Sequence, residues 1–229
     1  MSSRKRKKRI RKENIRNENI VRYLIACEGK ETEVNYFEGI KKKFEEKGLL
    51  RRDSTVFDLK KYNFEIKGVE RGTDELLKEV NRYINRNSNI YDNIWLVFDK
   101  DNFSDESFNY TIEQSKNNGY SVAWSNKCFE LWFLLYFEYN DSNLNCKNYI
   151  EKLDTNVKKN INEKGYKKNR KDMFEILERY SGWKKAYKNA EKLVNKFKNE
   201  KSYAKKAPYT TVYYLVKELC EIIEKQDKK

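Results

Sequence analysis

The chain has 229 residues, 38% hydrophobic and 38% charged, and Lys and Arg outnumber Asp and Glu by 50 to 36, a formal charge of +14. The apolar residues come in runs with 17 Tyr, 12 Phe and 4 Trp, which argues for one principal core with a helical appendage, and the cation surplus attracts polyanions, nucleic acid foremost. The absence of histidine excludes Ser-His-Asp and Cys-His catalysis and every His-based metal motif, and the scattered Cys27, Cys128, Cys146 and Cys220 match no zinc knuckle or disulfide framework, as expected in a reducing cytosol.

The opening residues, 1–19, carry the run RKRKKRIRK without the apolar stretch of a secretory signal, and read as a flexible arm that contacts phosphate or keeps the chain soluble. No run is long enough to span a bilayer, so no membrane association is expected. Residues 20–27 (IVRYLIAC) form a short, mainly apolar run, as in a strand buried on both faces, and Glu28-Gly29 ends it. Thr32 then caps a helix with Val34, Phe37, Ile40 and Phe44 on one stripe, closed by Gly48. A second strand, with the partial alternation of an edge, falls at 56–66, and Gly72-Thr73 opens a helix carrying Leu76, Leu77, Val80, Tyr83 and Ile84. The clearest strand, 94–98 (IWLVF), runs straight into Asp99-Lys100-Asp101. Ser104 caps a helix reaching about Asn118, and 120–124 (YSVAW) is a fourth strand.

Residues 128–137 (CFELWFLLYF) are apolar nearly all round and read as a buried helix carrying a conspicuous Glu130. Beyond Glu138 the texture turns Asn- and Lys-rich, with helical pieces near 145–153, 171–201 and 209–226, the last two separated by Pro208. The chain therefore divides into an arm at 1–19, an α/β domain at 20–138 and a helical extension at 139–229. Strands alternating with helices imply a mostly parallel, Rossmann-like sheet flanked by helices.

In such a sheet, ligands bind where the strands end. Glu28 ends the first strand, and Asp99 and Asp101 end the third. Three carboxylates meeting in one crevice repel one another unless protonated or neutralised by a divalent cation, and oxygen-only ligation favours Mg²⁺ or Mn²⁺. Near a phosphodiester held by a basic surface, that constellation suits metal-assisted hydrolysis, with Glu28 as ligand or general base. Lys30, Glu33, Lys127 and Glu130 are candidates to support the ligands or touch phosphate. Glu130, in an apolar helix, needs a cation, a metal or a hydrogen-bond network. The run YKKNRK, with Lys167, Lys168, Arg170 and Lys171, is a candidate nucleic-acid-binding segment, against the alternative of an exposed loop.

The stretch LIACEGKETE at 24–33 with Tyr36-Phe37, the VFDKD at 97–101, the AWSNKCFELW at 123–132 and the APYTTV at 207–212 together resemble the RloB family of bacterial phage-defence proteins. The resemblance implies a Toprim-like fold, with Glu28 as the Toprim glutamate and Asp99 and Asp101 as its Asp-x-Asp pair. It also implies metal-dependent cleavage of RNA, tRNA included, or DNA in abortive infection, beside a possible partner protein from a defence operon or further copies of the chain. The family often has Pro where Lys127 stands and His where Tyr136 stands; if that His is catalytic in relatives, its loss bears on activity here. Two other readings stay open. One is a non-catalytic module that binds nucleic acid or a nucleotide around a structural ion. The other is a phosphatase of the haloacid-dehalogenase type, although Asn102-Phe103 departs from that motif.

Overall fold

A computed structural model describes residues 20–50, 61–69, 73–87, 90–101, 103–161 and 164–226. The basic arm, the start of the expected second strand, Gly72 and Asn102 lie outside these. Four parallel strands, β1 (Ile20–Cys27), β2 (Lys61–Gly68), β3 (Asn93–Asp99) and β4 (Ser121–Asn126), stand in the order β2-β1-β3-β4, and a two-residue antiparallel strand, β5 (Tyr209–Thr210), pairs with the end of β4. The edge position expected of the second strand is the one observed, and its described part runs to Gly68 rather than ending at residue 66.

The crossovers are α1 (Thr32–Glu46), α2 (Thr73–Arg86) and α3 (Asp105–Asn117), the last capped by Ser104, whose hydroxyl accepts the Ser107 N–H at 3.1 Å. Alternation along the strands splits the core in two. Tyr23, Ile25, Cys27 and Val97 face α1 and the later helices, while Leu24, Ala26, Leu96 and Phe98 face α2 and α3.

The buried helix expected at 128–137 is shorter, α4 (Glu130–Leu134), and all of its residues are buried. The helical stretch expected at 171–201 is two helices, α6 (Met173–Tyr180) and α7 (Trp183–Lys196), because Gly182 between them takes a positive φ of 73° that ends the first and turns the chain. With α5 (Cys146–Ile161) and α8 (Val212–Gln226), they pack on one face of the sheet and share its core with α1. Tyr23 of β1 donates to Glu218 of α8 at 2.6 Å. Among the described residues no helix is long and apolar enough to cross a membrane.

Candidate functional site

Strand order reverses between β1 and β3, and the carboxyl ends of those neighbouring strands form the crevice where open α/β sheets take ligands. Cys27 pairs with Val97, and the Glu28 N–H continues the ladder to the Val97 carbonyl at 2.8 Å, so Glu28 and Asp99 leave adjacent strand ends. The Glu28 Oε2 accepts the Asp99 N–H at 3.2 Å. The Asp99 Oδ2 accepts the Phe129 N–H at 2.9 Å, which joins the start of α4 to the crevice. The remaining Asp99 oxygen, Oδ1, is buried without a hydrogen-bond partner among the described residues.

Glu33 in the first turn of α1 and Glu130 at the start of α4 are buried and add their charges. Burial, and then the charges of Glu33, Glu130 and Glu28, push the Asp99 carboxyl well above the usual range against the pull of the Phe129 N–H. Burial, with Glu33 and Asp101, pushes Glu28 up to about 7, opposed by the Asp99 N–H. Burial and Glu130 likewise raise Glu33, opposed by Lys168. Gly29 permits this crowding: a Cβ there would lie 2.5 Å from the Glu33 Oε2. Asp101 sits exposed at the rim with a positive φ of 32°, its N–H bound to the Lys127 carbonyl at 3.1 Å. Lys100 turns away, pairing with Asp105 at 3.0 Å.

The basic run divides into different roles. Thr32 and Asn35 of α1 donate to the carbonyls of Lys168 and Asn169 at 3.1 and 3.3 Å, which lays the run along the start of that helix. Lys168 then reaches toward Glu130, Nζ to Oε1 at 3.8 Å, and Tyr166 donates its hydroxyl to the same Oε1 at 3.0 Å. The cation and network that a buried Glu130 demands are thus Lys168 and Tyr166. Arg170 is occupied by Asp172, at 2.7 Å, and by the Gly165 carbonyl, and so braces the loop. Lys167 and Lys171 are exposed, and Lys30 is exposed on the loop after β1. The role of Tyr166 carries no local signal, since it lies 36 positions from Glu130.

Among the described residues, no three His, Cys, Asp or Glu side chains stand together as a ready metal-ligating set. In kind, however, the donors fit a hard divalent cation: all are oxygens, one buried carboxylate oxygen has no donor, and the neighbours raise one another's affinity for positive charge.

A family profile described as "RloB-like protein" matches residues 23–219. The chain belongs to the RloB-like family. No curated protein and no solved structure matches it. In this RloB-like chain, the position where the resemblance led to an expectation of His is far from solvent: the Tyr136 hydroxyl is buried between Tyr36, at 2.7 Å, and Glu178, at 3.2 Å. Lys127 is half-buried, and its carbonyl serves Asp101. Tyr136 therefore works inside the core and Lys127 at the rim of the crevice.

Proposed function

We propose that this RloB-like chain is a divalent-metal-dependent nuclease of the Toprim type that hydrolyses phosphodiesters of RNA or DNA in bacterial defence against phage by abortive infection. The observation that carries this reading is the partnerless buried Oδ1 of Asp99 among Glu28, Glu33 and Glu130 at the switch point of the sheet. Asp99, Asp101 and Glu28 would hold Mg²⁺ or Mn²⁺. When bound, such an ion supplies Lewis acidity toward a phosphoryl oxygen. Where Glu28 is not itself a ligand, its partial exposure and a carboxyl that burial pushes up to about 7 suit it to take a proton from the attacking water. Lys168, held over the crevice by α1 and Glu130, orients the phosphate, and Glu33 keeps the region acidic. Only carboxylates and lysines are asked to act, in keeping with a chain that has no histidine.

The test is incubation of the purified chain with total RNA, plasmid and single-stranded DNA in EDTA, Mg²⁺ or Mn²⁺. New ends should appear only with a divalent ion. Glu28→Gln and Asp99→Asn should each lower the rate by about a hundredfold or more while the chain stays folded. Undiminished cutting by the double variant overturns the proposal. One observation favours a second reading, a non-catalytic module that binds nucleic acid or nucleotide: no three described carboxylates are gathered as ligands. Saturable, salt-sensitive binding without turnover in either ion selects it.

A further inference from the structure

A second concavity lies along the outer edge of β4, away from the carboxylates. Its volume is about 360 Å³, and its walls are aromatic: Tyr120 and Trp124 from β4 and its approach, Tyr203 from the short 3₁₀ turn Tyr203–Lys205, Tyr209 from β5 and Tyr214 from α8. Trp124 and Tyr209 stack with ring centroids 5.0 Å apart and planes within 22°. Tyr214 is 50% exposed at the mouth. Trp95, on the floor, precedes Asp99 by four residues on β3, so the floor lies roughly 13 Å down the strand from the carboxylate crevice.

Two cations enter this cleft, and among the described residues no carboxylate lines it. Lys116 donates to the Tyr203 hydroxyl at 2.7 Å and lies 4.4 Å from the ring centroid. Lys206 lies 5.4 Å from the Tyr203 ring and 5.5 Å from that of Tyr209. Both ammonium groups are thus held beside flat π-surfaces. A ligand matching this arrangement has a planar aromatic part for the rings and an anionic part for the lysines. The cleft also falls within the range of about 300–1,000 Å³ typical of small-ligand sites. A peptide with acidic side chains satisfies the lysines but leaves the aromatic walls without a planar partner.

We infer that this cleft is a nucleotide-binding site, in which a base stacks against the half-exposed Tyr214 while its phosphate meets Lys206 and Lys116. The same chemistry is carried by a free nucleotide and by one unit of a single strand. Binding here is independent of cleavage at the carboxylates, so neither reading stands or falls with the other.

The test is tryptophan fluorescence and calorimetry on the full chain in EDTA, with AMP and with a single-stranded oligoadenylate of eight residues. Saturable binding of AMP assigns a free nucleotide, and binding of the oligomer alone assigns a strand; either supports the site. Tyr214→Ala and Lys206→Glu should each weaken binding by roughly tenfold or more. Circular dichroism should be unchanged and melting temperatures only slightly lowered, since Tyr214 is half-exposed, with one side of its ring on Tyr213 at 4.1 Å between centroids, and Lys206 lies at the cleft wall. Tyr214→Phe and Glu28→Gln should bind as the wild type does. The inference is overturned if neither ligand binds, if binding persists in both disruptive variants, or if inorganic tripolyphosphate binds as tightly as AMP.

Discussion

A buried acceptor without a donor costs on the order of 1–3 kcal/mol, and Asp99 adds the repulsion of Glu33, Glu130 and Glu28 to that cost. In Asp99→Asn the amide oxygen still accepts the Phe129 N–H, while the new NH₂ donates into the carboxylates instead of repelling them. The variant should therefore melt higher than the wild type in EDTA at a pH high enough to ionise Asp99, by on the order of 1–3 kcal/mol of stability, and match it where Asp99 keeps its proton. Mn²⁺ should raise the wild-type midpoint and leave that of the variant in place. Differential scanning fluorimetry decides this, and a variant that melts lower in EDTA means that the charge on Asp99 is already paired. Glu178 offers a separate titration. Its Oε1 accepts from Tyr136 in a buried chain that continues to Tyr36 and the Trp132 indole, and burial pushes its carboxyl up to about 7. The folded chain keeps this proton up to about pH 7, while an unfolded one releases it near 4.5, so stability falls as pH rises through that window. Glu178→Gln, neutral throughout, should match the wild type at pH 4.5 and exceed it above pH 7 by on the order of 2 kcal/mol. Urea melts at the two pH values check the sign.

The loop that carries Glu28 rests on the end of β2. Gly68 pairs with Cys27, and a Cβ on Gly68 would lie 2.7 Å from both the Gly29 carbonyl oxygen and the Lys30 Cα, backbone atoms that cannot swing aside. Gly68→Ala should displace the loop between β1 and α1 at a cost of about 1–3 kcal/mol and lower cleavage far more than it lowers secondary structure. Circular dichroism beside a cleavage assay reads both, and full activity in Gly68→Ala would show that Glu28 tolerates the shift. The strands that lead into Glu28 and Asp99 were legible because both are largely buried on two faces and so read as mainly apolar runs. The same logic exposed α4 as buried but overran it, since apolar residues continue to Phe137 after the helix has ended at Leu134. Pairings made late in the chain left no local trace. A two-residue strand such as β5 has no periodicity to read, and the break at Gly182 depends on a single φ. Glu130 announced its need for partners, but only folding could supply Tyr166 and Lys168.

At the scale of the molecule, the order β2-β1-β3-β4 sets the two strand ends side by side, and the helices after Glu138 close one face of the sheet while bringing Lys168 to the crevice. Acid is gathered at this centre, whereas the chain as a whole carries +14. Such a distribution draws a polyanion in over a long range, and local carboxylates then repel it unless a cation intervenes. The first 19 residues hold nine of the basic and two of the acidic side chains, half of the net charge. If they bind phosphates, removing them should weaken binding of single-stranded RNA most at low salt. The slope of log affinity against log salt should then become shallower by about 0.7 for each phosphate that the arm neutralises in the full chain. Fluorescence anisotropy of a labelled strand, measured in EDTA across a salt series with and without residues 1–19, gives the two slopes directly. Parallel lines mean that the arm touches no phosphate and that attraction resides in the folded body. A shallower line with cleavage of short substrates preserved at low salt assigns the arm to capture and leaves the chemistry to the sheet.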